Sequence, residues 1–98
     1  MTVEVKGTHG YNPGESTRDY VDKKIKRLDH VKDQVADLHV TLDKENSGEF
    51  RAESKIHFRW GTMGHMKVTD RDLFKAIDML FDKIEQKATK EKDKMQHH

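Results

Sequence analysis

The spacing of apolar positions changes period along the chain, and the changes divide it into six elements. Thr2 to Thr8 alternates with Val3 and Val5 on one side, which predicts a first strand. Gly7 and Gly10 then loosen the chain into a loop. Asn12-Pro13-Gly14-Glu15 sets out a capping residue, a proline at the first helical position and a glutamate at N3, so a helix is expected to start there. Its apolar face is Tyr20, Val21, Ile25 and Leu28. From Val35 the period becomes two, with Leu38, Val40 and Leu42 facing in, and Asn46-Ser47-Gly48 supplies a turn. The returning strand puts Phe50, Ala52, Ser54, Ile56 and Phe58 on one face and Arg51, Glu53, Lys55, His57 and Arg59 on the other. Gly61 to Gly64 turns the chain into a fourth strand carrying Met66 and Val68 inward. In the closing segment, at about 100° per residue, Leu73, Ile77, Leu80, Ile84 and Ala88 form one narrow apolar stripe of a long helix. The order is β-α-β-β-β-α. An α+β fold in which two helices cover one face of a four-stranded sheet, leaving the other face wet, buries every apolar stripe.

Charge adds an asymmetry that the total conceals, because 19 Lys and Arg against 18 Asp and Glu leave a formal net charge of only +1. On the closing helix Lys83, Lys87, Lys90 and Lys94 form a stripe beside the apolar one, while Asp78, Asp82, Glu85 and Asp93 lie on the far side. Mixed charges would gain i,i+4 pairs, so this segregation points to a surface that faces polyanion. The first helix repeats the pattern, with Lys23, Lys24 and Arg27 to one side of its apolar stripe and Asp22 and Asp29 to the other. If the helices pack side by side, the two flanks would join into a strip that follows a phosphate backbone by its shape, tolerant of sequence and sensitive to salt. The plain alternative for any one lysine is a solvated surface charge.

Length and composition narrow the classes. The 98 residues make a single domain, 1–98, with 95–98 expected as a disordered tail. A chain of this size buries only a little over ~60% of its unfolded surface, which leaves no room for a second module or a deep cleft. With no cysteine there are no disulfides, thiolate chemistry or cysteine-based zinc sites, in keeping with a cytoplasmic location. No apolar run approaches the ~20 residues that span a bilayer, and Met1-Thr2-Val3-Glu4 lacks the features of a signal peptide, so no membrane partner is expected. His97-His98 is given no role. Catalysis finds little support: Ser16, Ser47 and Ser54 occupy a helix start, a turn and an inward strand position, and no glycine-rich loop joins a strand to a helix. Asp70 and Asp72 read as capping residues of the last helix rather than a carboxylate pair. The expectation is a protein with no enzymatic activity, small-molecule substrate or cofactor.

Two further features keep alternatives open. A β3-β4 hairpin turning near Gly61 would set His57 opposite His65 on the wet face, with His39 on the next strand, as a conceivable metal cluster; the other reading is three ordinary exposed histidines. Trp60 can stack on a nucleotide, although an aromatic cap over the sheet end is the favoured reading.

The run from Asp70 through Leu73-Phe74-Lys75-Ala76-Ile77-Asp78-Met79-Leu80-Phe81-Asp82-Lys83-Ile84 resembles the closing-helix signature of the ribosome hibernation promoting factors. That family is also described as protein Y, ribosome-associated inhibitor or sigma-54 modulation protein. Val5-Lys6-Gly7-Thr8-His9, Arg18 to Ile25 with Leu28, and Leu38-His39-Val40-Thr41-Leu42 fall in the matching order, so the resemblance, to the short form of the family, covers nearly the whole chain. It implies a domain similar in shape to a double-stranded-RNA-binding domain that docks on small-subunit rRNA in the channel of messenger and tRNA and keeps idle ribosomes inactive. The matching basic positions are Lys24 and Arg27 on the first helix and Lys83, Lys90, Lys92 and Lys94 on the last. Together with Lys23 and Lys87 from the charge pattern, they are the candidate rRNA-binding residues. The chain departs from its relatives at Gln86, Thr89 and Glu91, where a basic residue or histidine is common, and at Thr17, where an apolar one is usual. The implied partners are the small subunit and its rRNA, with a monomer off the ribosome. A different class remains open, a small protein-interaction module that uses an exposed sheet face or edge strand, with the lysines serving solubility.

Overall fold

Parallel pairing between β1 (Thr2–Gly7) and β2 (Val35–Lys44) organises the molecule, because parallel neighbours need a long crossover between them. Helix α1 (Glu15–Lys26) and a 3₁₀ segment, Asp29–Gln34, supply it. β3 (Phe50–Phe58) and β4 (Met63–Asp70) then add antiparallel strands in the spatial order β1-β2-β3-β4, and α2 (Leu73–Gln96) closes the chain. This computed structural model describes residues 1–96; His97 and His98, and the end of the tail expected from residue 95, lie outside the described residues.

The core sits between the sheet and the two helices. Leu38, Val40 and Leu42 of β2 and Ala52, Ile56 and Phe58 of β3 meet Val21 and Leu28 from the α1 region and Ile77, Leu80, Ile84 and Ala88 of α2, all fully or almost fully buried. Each Val, Leu, Ile or Phe side chain buried this way contributes about 1.5–3 kcal/mol. The stripe of α2 is wider than the narrow one expected, since Ala76 and Phe81 on its borders are buried as well. The 3₁₀ segment, which no periodicity announces, buries Val31 and brings its end to the β3-β4 turn, where Arg59 Nε donates to Asp33 O at 2.6 Å and Arg59 N to Gln34 O at 3.0 Å.

Local signals at the helix ends met different fates. Asp72 caps α2 as expected, its Oδ1 accepting the Phe74 and Lys75 N–H groups at 3.0 and 3.4 Å, and Asp70 Oδ2 accepts the Asp72 N–H at 2.8 Å. Asn12 does not cap α1. That helix begins at Glu15 behind Gly14, with no side-chain cap, because the preceding loop folds across the end of β1 and buries Pro13 there. Gly7 makes this crossing possible: a Cβ on it would stand 1.8 Å from Tyr11 O and 2.7 Å from Pro13 Cδ.

Candidate nucleic-acid interface

α2 lies across β3 and β4, and its helical spacing puts Lys83, Lys87, Lys90 and Lys94 on the flank that overhangs the β4 edge. Lys83, Lys87 and Lys90 line an open groove of about 460 Å³ with Met63, Gly64, His65 and Met66 of the strand. Gly64 lets the helix settle this close, since a Cβ there would be 3.0 Å from Ile56 Cγ2 and 3.3 Å from Lys87 Cε. The Lys87 stem therefore lies over the strand backbone, and its Nζ donates to Glu91 Oε1 at 3.2 Å. Glu91 is 5% exposed. Its Oε2 accepts the Trp60 indole N–H at 3.3 Å, and Lys94 Nζ stands 3.7 Å from Oε1. Burial by itself pushes the Glu91 carboxyl up, but the hydrogen bonds from Lys87 and Trp60 and the charges of Lys87 and Lys94 outweigh it and hold the group below its ordinary value. Lys83 and Lys90 are exposed, and among the described residues neither makes an ion pair.

The other flank of α2 faces α1. Tyr20 packs edge-on against Phe74 with ring centroids 4.7 Å apart and donates its hydroxyl to Asp78 Oδ1. Lys24 Nζ meets the same oxygen at 2.8 Å and lies 5.2 Å from the Tyr20 ring centroid. The hydrogen bond to Asp78 raises both the Tyr20 hydroxyl, which burial raises further, and the Lys24 ammonium, although burial opposes the second. Asp78 itself is pushed up by burial and brought below its ordinary value by hydrogen bonds from Lys24 and Tyr20. Thus Asp78, placed by helical spacing on the far side from the lysine stripe, neutralises one of the α1 cations. Lys92 Nζ donates to His30 O at 3.2 Å, on the side of the 3₁₀ segment rather than with Lys90 and Lys94. Lys23 and Arg27 remain exposed.

The two basic flanks consequently do not join into one strip. The α1 group borders the α1-α2 seam and the α2 group borders β4, with the body of α2 between them, because α1 packs against the flank of α2 that carries Phe74 and Asp78. Of the eight lysines and arginines singled out, Lys23, Arg27, Lys83 and Lys90 offer unpaired cations among the described residues, while Lys24, Lys87, Lys92 and Lys94 are engaged with Asp78, Glu91 or a backbone carbonyl.

The histidine cluster is not assembled. The hairpin centres on Trp60, not Gly61, with Phe58 N donating to Thr62 O at 2.8 Å, and moving the centre by one residue moves every partner by two. His57 therefore faces Met63, while His65 and His39 flank Lys55 on either side. Each histidine stands by its own carboxylate: His65 Nε2 is 3.1 Å from Glu53, His57 Nδ1 3.8 Å from Asp37 and His39 Nδ1 3.9 Å from Glu4. No three potential ligands gather among the described residues. Trp60 stacks on Phe58 at a centroid distance of 5.4 Å and bonds Glu91, which makes it a cap on the sheet end. The roles of Glu91 and Asp78 are what reading the sequence missed. Glu91 stood out only as a departure from relatives, although it is an acid i+4 from Lys87 on the stripe side of the helix; nothing local pointed to the role of Asp78, since its partners are 54 and 58 residues away.

A sheet with two helices on one face and cations at two helix borders defines the class: a small α+β domain that presents charged surfaces. The chain belongs to the family described as Sigma 54 modulation protein / S30EA ribosomal protein, which it matches over residues 3–96. It is 29% identical over 98 residues, the whole of both chains, to the ribosome hibernation promoting factor of Klebsiella oxytoca. It is 30% identical over 84 residues, 86% of each chain, to that of Escherichia coli (strain K12). A crystal structure of the N-terminal domain of Thermus thermophilus Protein Y superimposes with a TM-score of 0.77 at 28% identity, over 92% of this chain and 98% of that one. A ribosomal subunit interface protein from Coxiella burnetii shares the fold with a TM-score of 0.83 at 20% identity, over 95% and 99% of the two chains. Among the described residues no helix is long and apolar enough to cross a membrane.

Proposed function

We propose that this protein is a cytoplasmic ribosome-binding hibernation factor that docks on small-subunit rRNA in the channel of messenger and tRNA, monomeric until it binds, and keeps idle ribosomes inactive by occupying that channel. The observation that carries the reading is the basic flank of α2, where exposed Lys83 and Lys90 border a groove against β4 within a fold of this family. Lys23 and Arg27 on α1 supply a second contact, on the far side of α2. Phosphates met by these four cations would be recognised by spacing and shape, and the released counterions make the affinity fall with salt. The engaged lysines Lys24, Lys87, Lys92 and Lys94 take part only if phosphate displaces their present partners. Co-sedimentation with small subunits, whole ribosomes and free duplex RNA across a salt titration tests the proposal. The expected result is saturable binding of one copy per small subunit, stronger than to duplex and weakening as salt rises, and a loss of at least tenfold in K83E/K90E with an unchanged circular dichroism spectrum. Binding no stronger than to duplex, or indifferent to K83E/K90E, would reject it.

A second reading rests on the free edge of β4. The Phe58–Thr62 bond sets the ladder phase, so Gly64, Met66 and Val68 bond β3 while the backbone groups of Met63, His65, Lys67 and Thr69 point outward. An extended segment of another protein can pair there. Association that survives nuclease and is indifferent to K83E/K90E would favour that reading.

A further inference from the structure

Glu91 stands inside the cluster of cations that the α2 flank presents, and nothing about folding a helix demands a buried carboxylate at this position. Its neighbours on the same face, Ile84 and Ala88, are apolar and fully buried. Both carboxylate oxygens are occupied, Oε1 by Lys87 at 3.2 Å with Lys94 at 3.7 Å and Oε2 by Trp60 at 3.3 Å. Lys87 is held further by its stem, which lies against Gly64. We infer that Glu91 is an internal competitor for phosphate, an affinity-setting residue that withholds Lys87 and Lys94 and leaves Lys83 and Lys90 as the cations the flank presents at rest. This rests on the ribosome-binding reading of the same flank and adds how strongly that flank binds.

The physical reason is the asymmetry of the cluster. For Lys87 or Lys94 to turn to a phosphate, Glu91 must keep its negative charge in a buried site with fewer partners, and stripping partners from a buried charge is expensive. A solvated lysine such as Lys83 or Lys90 faces no such opposition. The flank therefore binds as a two-cation surface although four lysines lie on it, and the restraint limits affinity for polyanions in general. Position matters more than net charge. Asp93, exposed on the back of the same helix, lowers the total charge equally but makes no contact with the flank lysines among the described residues.

Glu91→Gln tests this, because the amide oxygen can still accept the Trp60 N–H while the ionic hold on Lys87 and Lys94 is gone. Two probes are needed, heparin-column elution and purified small ribosomal subunits, with Asp93→Asn as a control of equal charge. E91Q should elute from heparin at clearly higher salt than D93N. It should bind small subunits several-fold more tightly than wild type at fixed salt, and its log affinity should fall more steeply with log salt, by about 0.7–0.9 for each phosphate newly engaged. In the otherwise unchanged protein, Lys87→Gln should weaken binding less than Lys90→Gln, and E91Q/K87Q/K94Q should lose the gain. The inference is overturned if D93N gains as much as E91Q, if E91Q gains nothing while its tryptophan emission and circular dichroism match wild type, or if K87Q costs as much affinity as K90Q. The last comparison stands even if E91Q folds poorly. Failure of the wild type to bind small subunits sinks the ribosome reading alone, since the heparin arm still measures what Glu91 withholds.

Discussion

Single residues carry charge here according to the neighbours that folding brings them. Lys24 and Lys23 are adjacent in sequence, yet Lys24 is tied to Asp78 at 2.8 Å while Lys23 is exposed. Lys87 and Lys90 are one turn apart, and only Lys87 reaches Glu91. The carboxylate of Glu91 also has a consequence for stability against pH. Its folded value lies below the ordinary one, so the protein binds fewer protons there folded than unfolded. The stabilisation is complete above the unfolded value of about 4.3 and is lost as pH falls through the lower folded value. Urea midpoints measured from pH 7 to pH 3 should therefore show wild type losing its advantage over E91Q below about pH 4.3. A constant difference over that range would show that Glu91 is not the group whose protonation matters. Thr17 stands where the family resemblance implies an apolar side chain, and at 6% exposure it does take a core-facing position.

At the scale of elements, packing settled what propensity left ambiguous. Alternation in β2 and β3 marked the inward residues correctly from Leu38 to Phe58, because a sheet with one covered face enforces a period of two. The α2 start was equally legible, since Asp72 acts within its own turn. α1 behaved differently. Asn12-Pro13 has the chemistry of a helix start, but the loop from Thr8 to Gly14 folds over β1 and buries Pro13 instead. Gly7 is the point on which that loop turns, not through an unusual backbone angle but through space, with Tyr11 O occupying the volume of a Cβ. Gly7→Ala should destabilise the domain by more than about 2 kcal/mol, read from chemical denaturation, because backbone and not a flexible side chain must move. Gly14→Ala, with open space around it, is the matched control and should stay within about 1 kcal/mol of wild type. Equal effects from the two would remove the steric account.

For the molecule as a whole, α2 sets the shape. Its 24 residues span ~36 Å at the usual helical rise, and the domain measures 47 × 22 × 19 Å. The exposed cations on α1 and on the β4 side of α2 thus border different sides of one long rod. Separate groups that touch one RNA surface without touching each other should act independently. K23E/R27E and K83E/K90E should each weaken ribosome binding, and the logarithms of the two losses should add in the combined variant. Strong departure from additivity, with all variants folded, would mean that the two groups compete for one contact or that only one side meets the ribosome.

Element order, the apolar faces and the lysine stripe of α2 could be read from the chain because each follows from contacts between residues a few positions apart, where periodicity is a sufficient guide. Family membership was legible for the same reason, through an ordered series of local patterns. Hairpin registers, the side of α2 that α1 occupies and the pairing of individual cations could not. They depend on a one-residue shift in a turn, which moves partners by two, and on pairs such as Lys24–Asp78 and Trp60–Glu91 that are distant in sequence and adjacent only after the core has closed. A stripe of lysines is a property of helical spacing. How many of them are available to a phosphate is a property of what the helix packs against.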